Sequence, residues 1–484
     1  MNVFYLYRPF LGEDKGDSFH LLGGEGKWVR GHWWYKIAHV CRRWRNVVLG
    51  SASYLGVSLV CTNGTPVADM LAHSPPLPIV IDYSDADEYG DFTADDEERT
   101  ILALKQRDRV RRVRLRMDVA KLEKLTEAID EEYPILECLV VAREIKTLTA
   151  ATTLPETLQT PHLRHLDLGG FAPPRLLMNT VGLVTLSLFM DYPPAYLHPN
   201  TLLQLLSFMP LLETLEIILL LDPFPNVDQV GQPMYTPITI SVTLPNLFRF
   251  RFRGISCYLE AVLCRIAAPR LSTLYIDYFW KPVFSVPSLL WFINTTKHIR
   301  FGSAKIEFSS GQVHVRAFCC RRFQTCSGTG PTGVHLSVNV DCWHLDSQVH
   351  AAAQISNFLS PSFSAVKHLA FERGAGSRPC QCEQHDEVDR TEWRKILNSF
   401  RNVKTIRIGR RLTEKLSRSL EFDDGDIPPD LLPELQRITY FGIGDTGDGF
   451  TSFINARQNA GRPVTLKYLR AKSLKPSAPP TNSG

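Results

Sequence analysis

The sequence predicts an α/β chain built as a stacked array of strand-and-helix units, and three observations predict it. A six-residue pattern, L-x-x-L-x-L with related apolar residues allowed, recurs ten times between residues 110 and 440. The copies stand far enough apart for a helix or a loop to return the chain between parallel strands. Stretches with helical apolar spacing fall between many of them.

Composition sets the bounds. A chain of 484 residues is too long for one compact core and must split into domains or stack as repeats. Its 44% hydrophobic and 21% charged residues are those of a folded chain. The net charge of +4 is too small to make nucleic acid or an acidic membrane the expected partner. The first residues, MNVFYLYRPFLGEDKG, lack the basic start and apolar run of a signal peptide. The most apolar stretch, LLETLEIILLL at 211–221, carries two glutamates. It is shorter than the roughly 20 residues that span a bilayer. The 11 cysteines are odd in number and sit mostly in apolar runs such as ECLVV at 137–141. That usage suits reduced thiols, so an intracellular location, cytoplasmic or nuclear, is expected.

Residues 1–32 are glycine-rich and show no period, so no packed element is assigned there. From residue 33 the character changes. WWYKIAHVCRRWRNVVL places Ile37, Val40, Cys41, Trp44 and Val48 on one helical face, with Lys36, His39, Arg42, Arg43 and Arg45 opposite. Two apolar runs, 55–61 and 77–83, read as strands. A helix over 65–73 lies between them, ended by the prolines at 75, 76 and 78. An acidic loop leads into a helix over 95–106 with three carboxylates in its first turn, where the helix dipole favours them.

The ten copies then follow. They are 110–115 (VRRVRL), 136–141 (LECLVV), 163–168 (LRHLDL), 183–188 (LVTLSL), 212–217 (LETLEI), 247–252 (LFRFRF) and 271–276 (LSTLYI), then 366–371 (VKHLAF), 403–408 (VKTIRI) and 435–440 (LQRITY). Successive starts are 26, 27, 20, 29, 35 and 24 residues apart, and 37 and 32 after a gap. Each copy is a strand with inward apolar positions plus one anchor before it, and it leaves a face that only a stacked neighbour can bury. Prolines 161, 245, 269 and 433 each stand two residues before the first apolar position, where a strand tolerates them. The spacing is longer and more variable than in regular leucine-rich repeats, and the usual Asn or Cys after the core is missing. The expectation is therefore an irregular leucine-rich-repeat solenoid over 57–471, a curved parallel sheet with convex helices. Those helices are expected at 200–208, 257–267, 287–295, 348–359, 391–399 and 448–459. Residues 305–340 fit worst and predict a β-hairpin insertion, and the Pro- and Ser-rich tail 472–484 predicts disorder.

Strand alternation also predicts a partner face. If Phe250 and Phe252 point into the core, Arg249, Arg251 and Arg253 line the open side of the sheet. The same logic places His165 and Asp167, Thr185 and Ser187, Thr214 and Glu216, and Tyr275 and Asp277 there. A solenoid captures partners on that face, and an ordinary solvated surface is the alternative.

No phosphate-binding loop, dinucleotide fingerprint, zinc-protease helix or nucleophile elbow is present, so an enzyme, a cofactor and a resident metal are not expected. Cys380, Cys382 and His385, with Asp386, offer zinc donors, but at a spacing unlike standard sites, and the segment reads instead as a polar loop between repeats. The basic run RDRVRRVRLRMD reads as a strand with outward arginines rather than a nucleic-acid footprint.

The segment 34–55 resembles the second half of the F-box-like domain of mushroom-forming fungi. The residues that carry it are Trp34, Ile37, His39, Val40, Cys41, Arg42, Arg43, Trp44, Arg45, Val48, Leu49 and Leu55. The segment TPVADMLAHSPPLPIVIDY and the stretch from Tyr258 to Phe284 resemble that family as well. The resemblance implies a short, incomplete F-box over 33–56, since the Leu-Pro helix that opens an F-box has no counterpart in 1–33. It also implies docking onto the Skp-family adaptor of a cullin–RING ubiquitin ligase, with Trp34, Ile37, Val40, Cys41, Trp44 and Val48 packing the F-box or facing the adaptor. The repeats would hold a protein substrate. A repeat scaffold with a defective F-box, acting outside ubiquitination, is the alternative.

Overall fold

A computed structural model describes residues 38–50, 57–84, 92–129, 131–143, 152–172, 180–190, 197–219, 239–278, 286–296, 301–319, 334–374, 390–421, 431–441 and 449–469. The chain forms two compact units, Met1–Ser272 and Thr273–Gly484, within the span expected to be one solenoid.

The first unit is a parallel sheet whose spatial order follows its chain order. Its strands are β1 (Leu59–Cys61), β2 (Ile79–Ser84), β3 (Val110–Met117), β4 (Cys138–Arg143), β5 (His165–Gly169), β6 (Thr185–Met190), β7 (Thr214–Leu219) and β8 (Arg249–Gly254). Each pairs in parallel with the next. A doubly wound sheet would reverse its order at a switch point. An unbroken sequential order is what stacking of repeats produces. The connections carry α1 (Arg42–Gly50) before the sheet, then α2 (Val67–His73), α3 (Ala94–Leu104), α4 (Val119–Glu127), α5 (Pro199–Ser207) and α6 (Ser256–Leu263). Thr93 caps α3 in a reciprocal box with Asp96, and Asp95, Asp96 and Glu97 fill its first turn, as their placement in the sequence dictates.

One turn recurs throughout. In nine of the ten copies the N–H of the first apolar residue donates to the carbonyl three residues earlier, as in Leu136 to Tyr133, Leu163 to Thr160, Leu247 to Leu244 and Leu435 to Leu432. The accepting residues are buried, so each repeat sinks an extra side chain below its strand. All ten copies end in a strand. Their inward residues, for example Leu139, Leu166, Leu186, Leu215 and Phe250, are 0–1% exposed. Burial of such a side chain contributes about 2 kcal/mol each.

In the second unit one strand runs backwards. Its strands are β9 (Thr273–Tyr278), β10 (Ser303–Phe308), β11 (Gln312–Phe318), β12 (Val334–Asp341), β13 (His368–Arg373), β14 (Thr405–Ile408), β15 (Arg437–Phe441) and β16 (Thr465–Leu469). They lie in the order β9-β12-β11-β10-β13-β14-β15-β16. β11 is antiparallel to both β10 and β12, while β9–β12 and β10–β13 are parallel. The segment expected as a hairpin insertion is thus a three-stranded meander set into the sheet itself. The chain therefore has to cross two strands to resume the parallel series at β13. Helix α8 (Leu345–Phe358) makes that crossing and packs on β11 and β10. Its Gln348 amide donates to the carbonyls of Ser309 and Cys342 at 2.8 and 2.9 Å, fixing the meander's turn and exit. Besides a single turn at Ser360–Phe363, the other helices are α7 (Pro287–Thr295), α9 (Arg390–Asn398), α10 (Thr413–Leu420) and α11 (Thr451–Asn459). Trp393 of α9 anchors this core edge-on to Phe308 and Phe371, at 5.5 and 5.9 Å between ring centres.

The helix expected through residues 33–48 is shorter. α1 begins at Arg42, after a break at residues 39–41. Val48 is fully buried, Trp44 half-buried, and Val40 and Cys41 are exposed, Val40 at 62%. The break rotates Val40 and Cys41 off the face they would share with Val48 in a continuous helix. Trp34, Ile37, the rest of 1–37 and the tail 472–484 lie outside the described residues.

Candidate partner-binding face

The open face of the first unit's sheet is a grid, because parallel register sets one residue per strand in each row. At the strand starts the row reads Arg112, Cys138, His165, Thr185, Thr214 and Arg249. The middle row reads Asp82, Arg114, Val140, Asp167, Ser187, Glu216 and Arg251. Toward the strand ends it reads Ser84, Arg116, Ala142, Gly169, Phe189, Ile218 and Arg253. Two arginine-bearing strands, β3 and β8, therefore bracket a centre of small, apolar and acidic side chains. Five interstrand steps separate them, about 24 Å at the usual spacing.

The bracket and the centre differ in exposure. Arg249, Arg251 and Arg253 are half-buried, and so are Arg112, Arg114 and Arg116. His165 is exposed. Asp167, placed by the sequence on the partner face with it, is 5% exposed, and so is Glu216; Ser187 is 4%. The expectation of an open Asp167 is corrected, and the reason is local. Asp167 and Ser187 stand side by side between Val140 and Glu216, and Phe189 fills the next row of the same face. Arg143 lies across Gly170, whose positive φ of 76° and missing Cβ allow the contact; a Cβ there would sit 2.4 Å from the Arg143 Nε.

The electrostatics follow the grid. Arg114 pairs with Asp82 at 3.6 Å, and Arg251 donates to Glu216 at 3.0 Å. Neither carboxylate oxygen of Asp167 has a hydrogen-bond partner, and the Ser187 hydroxyl that faces it closes no bond. Burial pushes the Asp167 carboxyl up to about 7, with Glu216 adding to the rise and Arg116 and Arg114 opposing it. Burial also lowers Arg116, whose Nε has no partner. A shallow groove of about 390 Å³ opens at the strand starts, lined by Arg164, Val184, Leu211, Glu213 and Asn246.

Tyr275 and Asp277 belong to the second unit and are half-buried there. Asp277 accepts from the Asn339 amide, whose oxygen stands 2.6 Å from the His314 Nδ1. On the same face Lys305 bridges Glu307 and Glu372 at 3.1 and 2.7 Å, and Arg316 and Arg407 flank them. The named partner residues thus divide between the units, with His165, Asp167 and the three arginines sharing one grid. The zinc donors at 380–386 lie outside the described residues, and no group of three metal-ligating side chains occurs among the described ones. No helix of the described residues is long and apolar enough to cross a membrane.

These features define a class: an α/β array of strand–turn–helix units with a large, mainly parallel sheet, consistent with a leucine-rich-repeat solenoid. No family model matches the chain, and no curated protein matches it. Among solved structures the chain is similar to the leucine-rich repeat-containing protein LegL7 from Legionella pneumophila, at 9% identity over 84% of this chain and 99% of that one, with a TM-score of 0.26. The repeat reading rests on this chain's own strand order and recurrent turn.

Proposed function

We propose that the chain is a non-catalytic, intracellular protein-binding scaffold, a leucine-rich-repeat solenoid that captures its partner on the open sheet face of the first unit. The observation that carries this reading is the pair of arginine-bearing strands, β3 and β8, bracketing one grid. Guanidinium groups held about 24 Å apart suit a protein partner with two acidic patches, and bidentate geometry favours carboxylates. The test reverses charge at Arg249 and Arg253 together. Arg251 is left alone because it donates to the buried Glu216 and its removal would disturb the fold as well as the face. Quantitative capture from lysate by the wild-type chain, lost in the folded double variant, supports the face; unchanged capture removes it.

The finer reading follows the resemblance: a substrate-recognition adaptor of an SCF-type cullin–RING ubiquitin ligase, docked through a Skp-family adaptor. Supporting it, Val40 and Cys41 stand exposed just before α1, open to a partner. Binding of the purified adaptor to the full chain, abolished by Val40→Asp, is the expected result. A folded chain that ignores the adaptor favours the alternative, a scaffold acting outside ubiquitination, and the late start of α1 at Arg42 already leans that way.

A further inference from the structure

We propose that Asp167 is a proton-dependent clasp in the first unit's sheet: it is buried as a neutral acid, and loss of its proton loosens β5 and β6. This stands independently of the scaffold reading. The geometry gives the reason. Asp167 is 5% exposed, and both its oxygens lack a hydrogen-bond partner. Its direct neighbours in the row are Val140 on β4 and Ser187 on β6. Val140 offers no donor, and Ser187 closes no bond. Charged groups face it from the surrounding strands, two arginines that favour its ionised form and one carboxylate that opposes it. On β3, Arg114 pairs with Asp82, and Arg116, on a strand two steps from β5, favours the ionised form of Asp167. On β4, Cys138 is a neutral thiol, pushed up to about 12 by burial, and Arg143 lies over Gly170. On β7, Glu216 adds like charge and is itself held by Arg251 of β8. His165 of the same strand points to solvent at the strand start.

A carboxylate without a donor is costly in such a place, whereas a carboxylic acid is tolerated. Ionisation draws Arg116 and the Ser187 hydroxyl toward the carboxylate and favours the entry of water into the row. Either opens the sheet where it is most enclosed. The direction with pH follows from linkage. Asp167 holds its proton more tightly when folded than when unfolded, so it favours the folded form fully at acid pH. That contribution is lost as pH rises from about 4 to about 7 and is flat above.

Hydrogen exchange of the full chain, corrected for the intrinsic pH dependence, tests this. Between about pH 5 and about pH 8, protection of β5 and β6 amides in the wild type should fall tenfold or more, one pH unit of linkage being tenfold. In Asp167→Asn it should change by less than about twofold, and β13–β15 should behave alike in both proteins. Parallel pH profiles for the two proteins would overturn the proposal. If the variant fails to fold, infrared spectra of the wild type decide. A protonated-carboxyl band at about pH 6, gone by about pH 8.5, is expected, since ordinary carboxylates are ionised throughout that range. Its absence overturns the proposal equally.

Discussion

The two sheets carry polar residues on their open faces in contrasting ways. In the second unit Lys305, Glu307, Glu372 and Arg316 form a ladder of ion pairs, each side chain about a fifth to a third exposed. In the first unit Asp167, Ser187 and Glu216, at the middle of the central row, sink to 4–5% exposure. Both faces obey the same strand alternation. The lesson is that an outward position becomes surface only if its neighbours across the sheet are of similar length. In the second unit His314, Glu307 and Glu372 stand side by side in one row, and Lys305 is beside Arg316 in the row before it. In the first, Asp167 and Ser187 sit between Val140 and the buried Glu216, with Phe189 in the next row.

Substitutions sharpen or break this contrast. The largest effect is expected from Glu216→Ala. It removes a carboxylate 6% exposed and with it the ion pair to the half-buried Arg251, costing about 3 kcal/mol in denaturant unfolding. A cost below about 1 kcal/mol would show that the first unit's face is solvated after all. Next is Gly170→Ala, which meets both a positive φ and the Arg143 side chain, at about 2 kcal/mol. Asp96→Ala should cost about 1 kcal/mol at neutral pH, by removing the α3 capping box and the bond from the Gly64 N–H. Burial alone would raise the Asp96 carboxyl, but hydrogen bonds from Thr93 and Gly64 outweigh it and hold it below the usual range. Its contribution is therefore present above its unfolded value and disappears as pH falls through its folded one, opposite in sign to that of Asp167. Thermal melts of wild type and variant should converge in acid. The smallest effect is expected from Glu372→Gln in the second unit, under about 1 kcal/mol and weaker still in high salt. A cost equal to that of Glu216→Ala would erase the distinction between the faces.

Much of the repeat array was legible because its signals are local. The ten six-residue copies all end in strands, and helices occur at each of the six expected convex positions, although α6 stops at Leu263, short of the expected end. α4 went unpredicted: its apolar positions Leu122 and Leu125 are too few to mark a helix. The buried residue three before nine of the copies, such as Tyr133, Leu244 or Phe400, also went unread, although in seven of the nine it is apolar. Of the candidate site, the arginines of β8 and the exposure of His165 followed from alternation, whereas the burial of Asp167 did not.

The sequence by itself determined the strands, their inward residues and the parallel repeat, since apolar period and turn chemistry act within a few residues of chain. Only the tertiary structure decided the order of the meander β10–β12, the break that exposes Val40, and the enclosure of Asp167. Each of these depends on which side chains meet across strands tens of residues apart. A single strand's pattern holds no record of its neighbours' size or charge.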